Sequence, residues 1–485
     1  MTPNSMRRAA IAAQAARERL PDPPTGAIGT RRSIVVERVL PQLDGGRHPV
    51  KRVVGDELLV TADIYADGHD LLDAALLIRA GDETGWREAP MRLVDNDRWS
   101  GSVTLSRNRR HWYTVEAWRD AYGSWREGLR KKVDAGVAVA TELEEGALLL
   151  KAALDRAEAA EAGPDARLIR ESWRRMRRAR SEATRVAALA GEELLAAMRR
   201  HPDRSFATRH DPELELVVDR ELARCAAWYE LFPRSQGREP SDPRPAPTTF
   251  RGAEWRLRDI AAMGFDVVYL PPIHPIGATN RKGRNNSLTA RRGDPGSPYA
   301  IGTAAGGHDT VAPELGGLDE FLHFRRAVER HGMEVALDLA IQASPDHPWV
   351  AAHPAWFRRS PDGTVKHAEN PPKKYQDIYP FDFYGPDADA RAELWQEWRR
   401  IVLTWVGRGV RIFRVDNPHT KPIPFWAWLI GEVQREHPDV IFLSEAFTKP
   451  KMMGVLAKIG FTQSYTYFTW RERPWELRDY LTELT

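Results

Sequence analysis

The composition of this chain fits a multidomain globular protein. At 485 residues, with 42% hydrophobic and 29% charged side chains, it is long enough for roughly three domains. The 71 basic and 68 acidic side chains leave a formal net charge of only +3 and are spread along the sequence, which excludes a polyelectrolyte surface for nucleic acid. No window approaches the roughly 18 consecutive apolar residues of a membrane-spanning helix. We therefore expect a cytoplasmic protein.

Two local features bear on targeting and redox state. Residues 1–30 are basic and Ala-rich, but Gln14 and Arg17 interrupt their short apolar run, so we predict a disordered tail and not a signal peptide. A single cysteine, Cys225, excludes an internal disulfide and fits a reducing compartment. Because Cys225 precedes the apolar run AAWYELF, we predict that it is buried.

The N-terminal part of the chain has two patterns in succession. Over 31–138, runs such as DELLVTADIYA and HWYTVEAW alternate apolar and polar residues between turns, which predicts an immunoglobulin-like β-sandwich. Over 139–210 the apolar period becomes that of helices, which predicts an inserted helical bundle. We interpret the basic run RRMRRAR at 174–180 as a solvated helix face, with an anion-binding or nucleic-acid-binding surface as the alternative.

The remaining part, 211–485, alternates short apolar strands with helical patterns after a Pro-rich linker at 237–249. The predicted strands are WYELFP, DVVYLPP, EVALDLA, VRIFRVD, VIFLSEAF and SYTYF. Repeated βα units indicate a parallel sheet, either doubly wound or closed into a (β/α)₈ barrel. The segment 342–387 is too long for an ordinary βα loop of about 2 to 6 residues, so we predict an inserted lid over the site.

Two carboxylates occupy the carboxyl ends of neighbouring predicted strands: Asp416 after VRIFRV and Glu445 after VIFLS. Catalytic groups of βα barrels lie at these ends. A facing pair of carboxylates about 5 to 5.5 Å apart suits retaining glycosyl transfer, in which one carboxylate forms the covalent intermediate and the other moves the proton. A helix cap or a structural ion pair is the alternative for an arbitrary acid at a strand end.

Four ordered blocks resemble the α-amylase superfamily. GVRIFRVDNPH resembles its nucleophile strand, FLSEAF its acid/base strand, LPPIHPIG with GGHDTVAPELGGLDEF its second strand, and EVALDLAIQ the strand of its D-x-x-x-N-H motif. The blocks AWYELFPRS, TNRKGRNNSLTARRGDPGSPYAIG, QASPDHPW and AENPPKKYQDIYP resemble the maltosyltransferases that use maltose 1-phosphate. The resemblance implies a (β/α)₈ TIM-type barrel, Asp416 as nucleophile, Glu445 as proton donor and base, and Arg414 orienting the nucleophile.

The chain departs from the hydrolase pattern near the sugar pocket. His419 stands three residues after Asp416, where hydrolases have a histidine one residue later, and Gln342 and Ala343 replace Asn and His. A sugar-phosphate donor needs cations and hydrogen-bond donors beside the nucleophile. The resemblance provides candidates, which are Asn417, Asn370, Lys373 and Tyr375 for the phosphate, with Lys374 facing solvent, and Lys282, Gln342, Asn286 and Ser297 for the donor sugars. By composition alone, these stretches are basic solvated loops.

The implied reaction moves maltosyl units from α-maltose 1-phosphate to the non-reducing end of α-1,4-glucans and releases phosphate. Phosphate is a good leaving group, so Glu445 matters most as the base that activates the acceptor hydroxyl. We expect no cofactor and no metal, because His347, His353 and His367 lack zinc-site spacing. The resemblance also suggests a homodimer.

The resemblance implies a third acid, in an N-H-D block on the seventh strand, and no such block follows Glu445. The sequence ends at Thr485 after about six βα units, so we expect an incomplete, poorly stable barrel with unpaired strand edges. Two alternatives stay open. The first is another superfamily member, a hydrolase or a phosphorylase. The second is a non-catalytic glucan-binding protein, against which the set of Arg414, Asp416 and Glu445 argues.

Overall fold

Two antiparallel sheets face each other at the start of the computed structural model, which describes residues 33–237 and 247–484. The predicted tail at 1–30 lies outside these residues. One sheet has the strand order β1-β3-β7-β6, and the other is built on the path β2-β10-β8-β4-β5, with β9 paired to β8. The strands are β1 (Ile34–Leu40), β2 (Val50–Val53), β3 (Glu57–Ala66), β4 (Leu72–Ala80), β5 (Arg87–Pro90), β6 (Arg92–Asp95), β7 (Arg98–Thr104), β8 (Arg110–Arg119), β9 (Thr208–Arg209) and β10 (Leu214–Asp219).

The sandwich takes in a strand that the sequence interpretation assigned to the next domain. β10 pairs with β8 in antiparallel register and with β2 in parallel register. Its Leu214, Leu216 and Val218 are buried in the sandwich core, while the residues between them are partly exposed. The predicted boundary at 211 is therefore wrong, because alternate apolar residues of β10 complete the core formed by 34–118.

Five helices form the bundle between β8 and β9: α1 (Ala121–Asp134), α2 (Ala140–Ala159), α3 (Gly163–Arg178), α4 (Glu182–Leu189) and α5 (Glu192–Arg200). The bundle begins before the predicted residue 139, because Tyr122 and Leu129 of α1 belong to its core. In α3, Ala166, Ile169 and Met176 recur at helical spacing and are buried. The arginines between them face solvent, and Arg177 pairs with Glu144 of α2 at 2.9 Å.

The third part is a six-stranded parallel sheet in the order β11-β12-β13-β18-β19-β20. These strands are β11 (Trp228–Glu230), β12 (Val267–Leu270), β13 (Glu334–Leu339), β18 (Ile412–Asp416), β19 (Ile441–Glu445) and β20 (Gln463–Ser464). The associated helices are α6 (Phe250–Ala253), α7 (Leu257–Ala262), α8 (Gly317–Arg330), α10 (Ala388–Gly407), α11 (Ile423–Glu436), α12 (Pro450–Lys458) and α13 (Pro474–Leu484). None of the described helices is long and apolar enough to cross a membrane.

Between β13 and α10 lies an irregular segment with the short elements β14 (Gln342–Ala343), α9 (Pro348–Ala352), β15 (Ala368–Asn370), β16 (Lys373–Tyr375) and β17 (Tyr379–Pro380). β14 pairs with β17, and β15 pairs with β16 as a hairpin. The predicted strand SYTYF is mostly wrong, since only its first residue lies in β20 and Tyr467–Trp470 form a 3-10 turn. Cys225 is exposed, contrary to prediction, because neighbouring Leu222, Ala223 and Ala226 make the packing contacts.

The sandwich attaches to the amino ends of the parallel strands. Arg220, just after β10, donates two hydrogen bonds of 2.6 and 3.0 Å to Glu334 at the first position of β13. Asn108 of the sandwich donates to the carbonyl of Pro438, three residues before β19. These contacts leave the carboxyl ends of the strands, at the other edge of the sheet, free to carry functional side chains.

Three buried histidines pack behind the carboxyl end of β13. His308 Nε2 lies 3.1 and 2.9 Å from the carbonyl oxygens of Ala340 and Gln342, so it carries the proton and donates to both. His274 and His347 lie beside it, with ring centroids 5.7 and 5.3 Å away. Burial lowers the pKa of His274 and of His347 to about 4 and holds the pKa of His308 well below its ordinary value. All three are therefore neutral at physiological pH.

These histidines predict loss of stability in mild acid. Their folded pKa values lie below the unfolded value of about 6.5, so the unfolded chain binds more protons in this window, and stability falls as pH drops from about 6.5 toward 4. Each histidine contributes at most about 1.4 kcal/mol per pH unit. We expect the Tm to be about 5 °C or more lower at pH 5.5 than at pH 7.5.

The control for this prediction is His347→Asn. His347 Nδ1 accepts a hydrogen bond from the Trp349 backbone N–H, a cap that asparagine also provides. The neighbouring Asp309, paired with Arg400 at 2.8 Å, has a lowered pKa and titrates below the window. The variant should therefore show about a third less pH dependence. Equal Tm values at the two pH values would contradict the prediction.

Candidate functional site

One guanidinium joins three carboxylates at the carboxyl ends of the parallel strands. Arg414 Nη1 donates to Asp338 Oδ2 at 2.8 Å and to Asp416 Oδ1 at 2.9 Å. Its Nη2 lies 3.5 Å from Glu445 Oε1. Arg414, Asp338 and Asp416 are all buried, and Glu445 is partly buried. These contacts therefore hold Asp416 and Glu445, the two carboxylates predicted from the sequence, against one buried cation.

Strand register accounts for this convergence. Arg414 and Asp416 are two residues apart in β18, so their side chains leave the same face of the sheet. In the parallel pairing, Asp338 of β13 stands opposite Arg414, and Asp416 stands opposite Glu445 of β19. The layer below, nearer the amino ends, is mainly apolar and contains Tyr269, Ala336, Ile412 and Ile441. The charged layer thus rests on a hydrophobic floor that excludes water from one side.

Asp338 is the most enclosed acid of the cluster. It accepts hydrogen bonds from the hydroxyl of Tyr269 and, at 3.1 Å, from that of Tyr299. Burial raises the pKa of Asp338 above its ordinary value, while Arg414 and the two hydroxyl groups act in the opposite direction. Burial alone lowers the pKa of Arg414, but Asp338 and the neighbouring groups raise it to a net upward shift. Arg414 therefore remains charged.

Glu445 and Asn417 are linked through the backbone. The backbone N–H of Asn417 donates to Glu445 Oε2 at 3.1 Å. Asn417 has a φ of 45°, in the left-handed region that asparagine tolerates better than most residues. Burial raises the pKa of Glu445, and Arg414 partly offsets this effect. Glu445 is thus favoured in its protonated form more than an exposed glutamate.

The loop after Asp416 adds a cation that the sequence interpretation did not select. Lys421 is partly buried, and its ammonium donates to Thr420 Oγ1 at 2.8 Å. Burial lowers the pKa of Lys421 to about 8, although the charge of Asp416 opposes this shift. His419 belongs to the same loop, and burial together with the charge of Lys421 lowers the pKa of His419. The indole N–H of Trp426 donates to the Pro418 carbonyl at 2.9 Å and holds the loop.

Gln342 connects to this cluster indirectly, whereas Lys282 contacts a residue of the inserted segment. Gln342 Nε2 approaches the carbonyl of Tyr299 at 3.5 Å, and Tyr299 in turn contacts Asp338. Lys282 is buried and donates to Gln376 Oε1 at 2.9 Å. The Gln342 loop therefore contacts the Tyr299 loop beside the carboxylates, and Lys282 joins its own loop to Gln376.

The other candidates from the sequence lie farther out. Asn370 stands opposite Lys373 in the exposed β15–β16 hairpin, where Tyr375 is 37% exposed. Lys374 is 3.6 Å from Glu369. Within the described residues, no hydrogen bond joins the side chains of Asn370, Lys373 or Tyr375 to Asp416 or Glu445.

Asn286 and Ser297 belong to the long loop after β12. Asn286 is exposed, whereas Ser297 is partly buried and its Oγ accepts from the Tyr299 backbone N–H at 3.3 Å.

Of the residues that the sequence interpretation left unassigned, Asp338 was detectable as an acid inside an apolar strand. Tyr269, Tyr299 and Lys421 gave no comparable signal.

Among the described residues, no group of three His, Cys, Asp or Glu side chains is placed to hold a metal ion. The carboxyl groups of Asp338, Asp416 and Glu445 instead share one internal cation, the guanidinium of Arg414. An acid, a nucleophile and a fixed cation in this arrangement are suited to covalent glycosyl transfer.

Comparison with known proteins gives consistent results. Residues 32–220 match the family model described as alpha-1,4-glucan:maltose-1-phosphate maltosyltransferase, domain N/S. The chain is 54% identical over 457 residues to the alpha-1,4-glucan:maltose-1-phosphate maltosyltransferase of Myxococcus xanthus, covering 93% of this chain and 68% of that protein. The protein of the same name from Chlorobaculum tepidum is 50% identical over 94% of this chain and 66% of its own length.

The chain thus spans about two-thirds of the length of these curated relatives. Among solved structures, an α-amylase from Lactobacillus plantarum is 25% identical and aligns with a TM-score of 0.42 over 54% of this chain and 60% of that one. The identity to the curated relatives confirms the family that the sequence blocks indicated. This chain belongs to the alpha-1,4-glucan:maltose-1-phosphate maltosyltransferase family.

Proposed function

We propose that the cluster centred on Arg414 transfers a maltosyl unit from α-maltose 1-phosphate to the non-reducing end of an α-1,4-glucan, with Asp416 as nucleophile and Glu445 as acid and base. The observation that carries this proposal is the shared guanidinium, 2.9 Å from Asp416 and 3.5 Å from Glu445. It holds the Asp416 carboxyl group in one orientation, as a nucleophile requires. Family membership supports the choice of donor and acceptor.

In the first step, an oxygen of Asp416 attacks the anomeric carbon of the donor. The bond between that carbon and the phosphate oxygen breaks, and phosphate leaves with the bonding electrons. Because phosphate is a good leaving group, this step needs little help from Glu445. The product is a maltosyl ester of Asp416.

In the second step, Glu445 takes the proton of the acceptor's 4-hydroxyl, and the oxygen of that group attacks the anomeric carbon. The ester bond to Asp416 breaks, which restores the carboxylate. Two inversions give net retention, so an α-phosphate becomes an α-1,4 linkage. The Asn417 N–H on Glu445 Oε2 aligns the base for this step.

The phosphate is assigned to the cations and amides around the site. Asn370, Lys373 and Tyr375 of the β15–β16 hairpin, together with Asn417, bind the leaving group, while Lys421 lies closest in sequence to the nucleophile. Among the described residues, Lys373 has no ion-pair partner, whereas Lys374 faces Glu369. A dianion therefore gains a charge-assisted contact at Lys373 without breaking an existing pair.

The donor sugars are assigned to Lys282, Gln342, Asn286 and Ser297. Support is strongest for Gln342 and Ser297, because both contact the main chain of Tyr299 beside Asp338.

The same proposal treats the six parallel strands as part of a (β/α)₈ barrel, in agreement with their sequential order. It also includes a cytoplasmic location, which suits a charged phosphorylated donor, and a homodimer.

The acceptor is assigned to an aromatic surface next to Glu445. Phe447, two residues after Glu445, packs against Tyr465, Tyr467 and Trp470 with ring centroids 6.2, 5.7 and 6.1 Å apart. Trp470 is 65% exposed. The C–H faces of glucose rings stack on such rings while their hydroxyl groups remain solvated, so a glucan end can lie here beside the base.

The first prediction of this proposal concerns the nucleophile. Asp416→Asn keeps the shape and removes the charge, so phosphate release from α-maltose 1-phosphate with maltotetraose should fall by about 10³-fold or more. The control is Asp387→Asn at the exposed cap of α10, where asparagine caps equally well and the rate should not change. Undiminished release by Asp416→Asn would remove Asp416 from the mechanism. Release of free maltose without chain extension would favour a hydrolase.

The second prediction separates the two steps at Glu445. Glu445→Gln should leave the first step nearly intact but slow transfer by about 10²- to 10⁴-fold, because no base deprotonates the acceptor. Rapid-quench analysis should show one equivalent of phosphate followed by a stall, with the maltosyl unit found on Asp416 by mass spectrometry. Azide, a nucleophile that needs no base, should restore turnover. Equal slowing of both steps would argue against this division of labour.

The third prediction tests the aromatic surface. Trp470→Ala should raise KM for maltoheptaose by about 3- to 10-fold, the loss expected for one stacked ring, and leave KM for α-maltose 1-phosphate unchanged. Trp475→Ala is the matched control, since Trp475 is 51% exposed and lies outside the Phe447 cluster. An unchanged KM for maltoheptaose in Trp470→Ala would exclude this path for the acceptor.

A further inference from the structure

A cavity lies between the sandwich and α11, and none of the carboxylates around Arg414 lines it. Its volume is about 670 Å³, within the range of roughly 300 to 1,000 Å³ typical of ligand sites. One wall comes from the β4–β5 turn, the start of β8 and the end of β10, and the other from α11 between Ala427 and Arg435 and from Pro438. Since Pro438 precedes β19, the cavity is on the amino-end side of the sheet, opposite Glu445.

Hydrogen bonds of Asn108 connect the two walls of this cleft. Asn108 Nδ2 donates to the Val218 carbonyl at 2.7 Å on one side and to the Pro438 carbonyl at 3.2 Å on the other. The ion pair between Arg220 and Glu334 lies next to the end of β10. The cleft is therefore preformed, and a ligand does not have to open it.

Each wall presents an indole ring. Trp112 of β8 lines one side and Trp428 of α11 the other. The guanidinium of Arg79 lies 5.4 Å from the Trp112 ring, and Trp395 packs 5.5 Å from Trp428. Both indoles are only partly buried, so they offer flat apolar surfaces at fixed positions, which suit the C–H faces of sugar rings.

The charges of the cleft balance. Its lining contains three arginines and three acids: Arg109, Arg110, Arg435, Asp82, Asp219 and Glu432. Each of these arginines already faces a carboxylate, because Arg109 is 3.3 Å from Asp82, Arg110 is 3.5 Å from Glu215, and Arg435 is 2.8 Å from Glu432. An anion would have to break such a pair. A neutral polyhydroxylated ligand can instead donate to the acids and accept from the arginines at once.

We propose that this cleft binds a segment of α-1,4-glucan, clasped between Trp112 and Trp428, and holds the polymer on the enzyme while its end is extended at Glu445. The inference rests on the proposed function, because the ligand is the polymer that the reaction lengthens. A second contact on the same chain raises the local concentration of acceptor ends, so its effect should increase with glucan length.

Gly431→Trp tests the cleft by filling it. Gly431 lies in α11 on the cavity wall, and a Cβ at this position meets no atom within 4 Å. Gly454→Trp in α12 is the matched control, since it is equally open and lies outside the cleft. Trp112→Ala serves as a second variant that removes stacking without adding bulk. All are compared by thermal denaturation, so that a folding defect is recognised.

Binding is measured by affinity electrophoresis in gels containing soluble amylose, and phosphate release is measured with maltotetraose and with amylose. Gly431→Trp and Trp112→Ala should raise the apparent Kd for amylose by at least about fivefold, with Gly454→Trp and the maltotetraose rate unchanged. An unchanged Kd in both cleft variants overturns the proposal. Weaker amylose binding by these variants in a chain that releases no phosphate would support the cleft and reject the proposed reaction.

Discussion

The site depends on one buried positive charge. Arg414 faces Asp338, Asp416 and Glu445, three acids that repel each other at this spacing in a medium of low dielectric. Without the guanidinium, at least one carboxyl group would have to take up a proton or move away. The Tyr269 and Tyr299 hydroxyls complete the compensation around Asp338. The positions of Asp416 and Glu445 thus depend on their shared contact with Arg414 as much as on strand register.

Whether a site residue or a strand could be predicted from the sequence depends on where it lies in the fold. Asp416 and Glu445 were predictable because an acid that ends an apolar strand is visible in the sequence itself, and parallel pairing then aligns the two. β10 was misassigned because its partners, β2 and β8, are distant in sequence, and no local pattern tells which sheet a short strand joins. The packing of the loop residues Tyr299 and Lys421 depends on tertiary contacts alone.

The three parts of the chain divide the physical tasks. The parallel sheet supplies rigid strand ends, and the segment between β13 and α10 carries exposed polar groups in the β15–β16 hairpin. The sandwich holds the amino ends through contacts such as Arg220 with Glu334. Helix α11 takes part in two of these tasks. Its Trp426 secures the loop after Asp416, and its residues from Ala427 to Arg435, Trp428 among them, line the cleft.

The buried histidines behind β13 give acid sensitivity a second origin. His308 holds the carbonyls of Ala340 and Gln342, and Gln342 reaches the loop of Tyr299 beside the carboxylates. Protonation of His308 would occur at Nδ1, which is buried and has no hydrogen-bond partner among the described residues, so it would place an uncompensated charge behind β13 while Nε2 keeps its two hydrogen bonds. Loss of activity in acid therefore includes a slow loosening of the scaffold beside the fast, reversible ionisation of side chains at the site. A brief pulse of low pH followed by neutral assay distinguishes the two by the activity that returns.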